Sequence, residues 1–123
     1  MKNNNGSGEP NEKLYDLCNL REISRGNEDF VKKMIKIFYE RIPSSLAQIK
    51  ESYSAGNFKS VRDIIHLLKP GIENMGIRSI KENIKNVELI AKENPNSELL
   101  IENINKIEEV LMMVFEQLKE ELK

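Results

Sequence analysis

The chain has 123 residues, 39% hydrophobic and 32% charged, which is enough apolar material for one core but too little length for two ordinary domains. Its formal net charge is -1, so it carries neither the broad basic field of a nucleic-acid binder nor an acidic tail. The single cysteine, Cys18, excludes an internal disulfide and a Cys-rich metal site, and no run approaches the ~20 apolar residues of a membrane span.

With no apolar leader at its start, the chain is expected to be cytoplasmic, without membrane or nucleic-acid partners. Residues 1–11 hold almost nothing that can be buried, so a flexible tail is expected there, followed by one helical domain over 12–123. Over 14–24, Leu17, Leu20 and Ile23 recur at helical spacing and predict a short helix ended by Gly26. Asn27 is a candidate N-cap, with Glu28 and Asp29 favourably placed in the first turn of the next helix. That helix carries Val31, Met34 or Ile35, Phe38, Ile42, Leu46, Ile49 and Tyr53 in steps of three and four. Pro43 removes one N–H and crowds the preceding turn, which predicts a kink or short break.

Gly56 closes that helix and Asn57 caps the third, whose stripe is Phe58, Val61, Ile65, Leu68, Ile72 and Met75, ending at Gly76. A fourth stripe runs through Ile77, Ile80, Ile84, Val87 and Ala91, flanked by Leu89 and Ile90, until the turn residues at 94–97. The last helix uses Leu100, Ile104, Ile107, Leu111, Val114 and Leu118. No stretch alternates as a strand would. Four amphipathic helices with short connections bury their stripes most economically as an antiparallel four-helix bundle, so the expected fold is all-α with an additional short N-terminal helix laid against the bundle.

His66 is the only histidine. At about 100° per residue it falls roughly 140° from the centre of the stripe formed by Val61, Leu68 and Ile72, so it faces outward, on the arc that also holds Lys59, Arg62, Lys69 and Glu73. A core role is therefore excluded, and with no second histidine and with cations around it a metal site is disfavoured. An ordinary surface histidine fits the same geometry. Chemistry favours more: a neutral imidazole is a competent nucleophile near pH 7, and Arg62 and Lys69 could stabilise a phosphoryl group on it. A hydrolase would need a cleft and a second acid or base, which the sequence does not identify.

The run His66-Leu67-Leu68-Lys69-Pro70-Gly71-Ile72-Glu73-Asn74-Met75-Gly76 resembles the signature of histidine-containing phosphotransfer (HPt) domains. The match consists of a histidine, an apolar residue two later, a lysine three later, a small residue next, and an apolar residue and a glycine nine and ten later. The segment 16–24 and the helix from Asn27 to Tyr39 look like the opening of the same domains, so the likeness extends from Tyr15 onward, resting beyond Gly76 on helical pattern alone. It implies that His66 is phosphorylated by a receiver-domain aspartyl phosphate or a hybrid histidine kinase and passes the group to another receiver, with Lys69 as the cation beside it. It implies response-regulator receiver domains as partners, docking around Lys59, Arg62, Leu67, Pro70, Gly71, Glu73 and Gly76. The Mg²⁺ is expected on the receiver, with no cofactor or metal held by this chain, which is expected to be a monomer. Gly76 matches the glycine at which helix ends approach closely.

The departure is Pro70, where many such domains have glycine. Its missing N–H leaves the His66 carbonyl without its usual partner and should bend the helix. No G-x-x-x-x-G-K loop is present, so a phosphoryl carrier without kinase or phosphatase activity is expected. The alternative is a helical adaptor that binds a receiver or another helical signalling protein and is never phosphorylated.

Overall fold

Three helices begin where the sequence offers a side chain to an unpaired backbone N–H. Asn27 accepts from the Phe30 amide, Asn57 from Ser60 and Ser97 from Leu99. A computed structural model describes residues 12–123, and the tail expected over 1–11 lies outside them. The helices are α1 (Cys18–Ile23), α2 (Glu28–Ser54), α3 (Phe58–Asn74), α4 (Lys81–Glu93) and α5 (Glu98–Leu118), and a 3-10 turn over Lys119–Leu122 extends the last. The described residues contain no strand.

Short connections make each of α2 to α5 the antiparallel neighbour of the next, and α2 also meets α5, which closes a four-helix bundle. α1 lies on α2. The stripes read from the sequence form the core: Val31, Ile35, Ile42 and Ile49 of α2, Val61, Ile65 and Ile72 of α3, Val87 of α4, and Leu100, Ile104, Leu111 and Leu118 of α5 are nearly inaccessible. Phe38 of α2 meets Phe115 of α5 edge-on, with ring centroids 6.2 Å apart.

Four details differ from expectation. Ile23 is 59% exposed, because α1 ends there and its third apolar position has no surface to cover. α2 does not break at Pro43, which lies on the exposed side of the helix. α4 starts at Lys81, not at Ile77, because Gly76 takes φ +66 and turns the chain; Ile77 and Ile80 are buried from that turn. Leu68 is only partly buried, since it borders a groove between α2 and α3.

The segment before α1 is strapped across the C-terminal end of α3. The Asp16 amide donates to the Met75 carbonyl at 2.9 Å. A Cβ on Gly76 would come within 2.8 Å of the Asp16 backbone nitrogen and closer still to its carbonyl oxygen, so only glycine lets the two segments meet. Further along, the Tyr15 hydroxyl donates to Glu121 at 2.7 Å, and Gln117 both receives the Leu14 amide and donates to the Glu12 carbonyl.

Candidate functional site

His66 stands near the middle of α3, and its side chain is 73% exposed. The outward position read from the helical wheel is what the structure has. The residue that the sequence did not point to is Glu88 of α4. Its Oε2 lies 3.1 Å from His66 Nδ1, and its Oε1 accepts from Lys69 Nζ at 3.0 Å. One carboxylate thus holds both the ring and the cation one turn further along α3. His66 and Lys69 present themselves to Glu88 together because three residues of α-helix bring side chains onto adjoining positions of one face.

Burial tends to raise the Glu88 carboxyl, but hydrogen bonds from Lys69 and His66 outweigh it and hold the group below the usual carboxylate range. It is ionised at neutral pH and can only accept. The ring nitrogen facing it must then carry the proton, which fixes the Nδ1–H tautomer and leaves the lone pair on Nε2. Among the described residues nothing hydrogen-bonds Nε2. A nucleophilic nitrogen therefore points at solvent, while the other nitrogen is anchored to a carboxylate that would stabilise positive charge on the ring.

The other residues singled out from the sequence divide between two sides of α3. Leu67, Pro70 and Gly71 line a groove of ≈ 260 Å³ against Ile37, Phe38 and Arg41 of α2, and Leu67 is 77% exposed at its edge. α3 does not end at Pro70, which is exposed, and a side chain at Gly71 would only touch Phe38. Glu73 and Gly76 line a second groove, between α3 and α4, which also holds Lys69. Gly76 is a packing position, pressed on Asp16.

Arg62 is half-buried one turn before the histidine, and Lys59, about 10 Å back along the axis, is committed to Asp63 at 2.9 Å. Neither lines either groove. Lys69, expected as the cation beside the histidine, is drawn toward α4 by its ion pair with Glu88 and is only one-third exposed.

No family model matches the chain, and comparison with curated proteins and with solved structures yields no match. The functional reading therefore rests on the residues. Among the described ones, no group of three or more His, Cys, Asp or Glu side chains is placed to hold a metal, and no helix is long and apolar enough to cross a membrane.

Proposed function

We propose that this chain is a phosphoryl carrier of the HPt kind, phosphorylated on His66 Nε2 by a receiver-domain aspartyl phosphate and discharged to a second receiver. The observation that carries this reading is the His66–Glu88 hydrogen bond, which engages Nδ1 and leaves an exposed, unpartnered Nε2 on a rigid helix. The Nε2 lone pair attacks phosphorus in line, the bond from phosphorus to the aspartyl oxygen breaks, and the carboxylate leaves on the receiver. The ring becomes a phosphoimidazolium whose positive charge faces the Glu88 carboxylate. Lys69 lies within one turn to pair with the phosphoryl oxygens.

The charge-stabilising Mg²⁺ would belong to the receiver. Its docking face would be the apolar groove between α2 and α3, where Leu67, Pro70 and Gly71 adjoin the histidine. An exposed reacting atom suits this role, because the second active-site wall comes from the partner. Cytoplasmic signalling is the setting the reading implies.

The exposed Leu67 and its groove also suit an adaptor that docks a helical signalling protein without chemistry. One experiment separates the two. Incubation with a phosphorylated receiver should place an acid-labile phosphate on the wild type and none on His66→Gln, whereas equal labelling of both proteins would refute the phosphoryl-carrier reading.

A further inference from the structure

The groove between α2 and α3 has an apolar surface that a partner can reach. Leu67, Ile37 and Pro70 are exposed in its lining, and Met34 and Leu68 are half-buried. Phe30, one turn before Met34 on α2, is open as well. Among the lining residues only one is charged, Arg41. Positions 30, 34, 37 and 41 step by fours and threes, so the arginine continues the stripe that the apolar side chains begin.

Arg41 makes no ion pair and no side-chain hydrogen bond among the described residues. The Ser52–Ser60 hydrogen bond, at 2.9 Å, sets the register of α2 against α3 and places Arg41 opposite Gly71, which has no side chain to offer across the groove. The carboxylates near it in the sequence and the fold are turned elsewhere. Asp63, one turn before Leu67, is taken by Lys59 at 2.9 Å, and Glu40 projects about 100° away round α2. Asn74, at the far end of the lining, is bonded to Asn19 at 3.4 Å. The groove therefore carries a single positive charge that the chain itself does not compensate.

A partner that covers Leu67, Ile37 and Met34 takes water from the guanidinium beside them. Left unpaired, a desolvated charge costs several kcal/mol, whereas a carboxylate that meets the guanidinium through two parallel N–H donors offsets that cost. We infer that Arg41 is the specificity-determining residue of this groove, favouring a partner whose apolar docking face carries a carboxylate over one that places a neutral or cationic group there. The inference rests on the reading of this groove as the docking face, and not on phosphoryl transfer. From Leu67 to Asn74 the groove runs two turns of α3, which matches a short helical face with anchors three and four residues apart. Gly71 lies about 8 Å along the helix axis from His66, so a partner seated on Arg41 also reaches the ring. Arg41 would sort receivers by affinity before any chemistry begins.

The test titrates the ¹⁵N-labelled full chain with a helical peptide that has leucines along one face and a single glutamate on that face, beside the same peptide with glutamine or lysine in its place. Amide shifts centred on 34–41 and 67–74, with affinity falling from glutamate to glutamine to lysine by roughly five- to tenfold per step, are the expected result. Arg41→Glu should reverse the order, and Arg41→Gln should bring the glutamate and glutamine peptides level. Arg41 is exposed, so both variants should keep the fold, which their amide spectra report directly. His66→Gln should bind as the wild type does whatever its phosphorylation assay shows, which separates failure of the carrier reading from failure of this one. Equal binding of the three peptides, the wild-type order retained by Arg41→Glu, shifts centred elsewhere, or no shift at millimolar peptide would each overturn the inference. So would octanoate, a carboxylate on a bare chain, if it moved the same amides at lower concentration than the glutamate peptide.

Discussion

The Glu88→Gln substitution isolates what the carboxylate contributes. It keeps the size of the side chain and a carbonyl oxygen that can still accept from Nδ1, but it removes the charge that would face a phosphoimidazolium in the proposed transfer. Two unit charges about 4 Å apart near a protein surface attract by about 4 kcal/mol. The His66 ring is largely exposed and Glu88 one-quarter exposed, so solvent and salt reduce this to about 1–2 kcal/mol. At ~1.4 kcal/mol per factor of ten, transfer should slow by roughly 5- to 30-fold. The assay is single-turnover transfer from a phosphorylated receiver in rapid quench, with thermal melting to show the fold intact. Glu88→Gln also frees Lys69, so the double variant with Lys69→Ala is needed. If Glu88 acts through the ring, its substitution slows transfer in the Lys69→Ala background as well. Transfer within twofold of the parent in both backgrounds would refute the role assigned to the His66–Glu88 bond.

Three further expectations concern the scaffold. Gly76→Ala should cost about 2–4 kcal/mol, because the left-handed φ and the collision with Asp16 both count, whereas Gly56→Ala, at φ +74 with open space around it, should cost about 1–2 kcal/mol from conformation alone; equal melting losses in the two variants would remove the strap from the argument. Leu111→Ala, which empties a fully buried site, should cost about 2–5 kcal/mol in a denaturant melt and Leu68→Ala clearly less, because Leu68 already borders the α2/α3 groove. The hydrogen bond from Tyr15 holds the Glu121 carboxyl below its ordinary range. The unfolded chain therefore takes up that proton first, and the stabilisation present at neutral pH is lost as pH falls through the depressed folded value. Tyr15→Phe should flatten the acid limb of the stability curve, and an unchanged limb would mean that this bond does not set it.

The periodic features could be read from the sequence because they are local. The apolar stripes, the caps at Asn27, Asn57 and Ser97, and the outward angle of His66 all depend on residues within one or two turns. What could not be read depends on how one helix is registered against another. Glu88 lies 22 residues from His66 and off the buried stripe of α4, so in the sequence it looks like any solvated glutamate. Only the antiparallel pairing of α3 with α4 brings it to the ring. The same limit hid the division of the surface candidates between two grooves, since Leu67 and Glu73 share a helix but face different neighbours. Ile23 and Leu68 fall on apolar stripes without being fully buried for the converse reason, because periodicity reports a face and not whether anything covers it. The likeness of residues 66–76 to the HPt signature singles out His66 and Lys69 but not the carboxylate that contacts both.

The strap has a consequence for how this domain can be joined to others. Because Glu12 and Lys13 sit beside Gln117 and Glu121, the first and last described segments leave the bundle side by side. The crossing of Asp16 over Gly76 lies about 15 Å along α3 from His66. A receiver joined directly at Glu12 or just after Glu121 would start from neighbouring points, and from the crossing a linker needs at least about five extended residues to reach the histidine. Fusions made at those two points with equal linkers should therefore present a tethered receiver to the ring at similar effective concentrations.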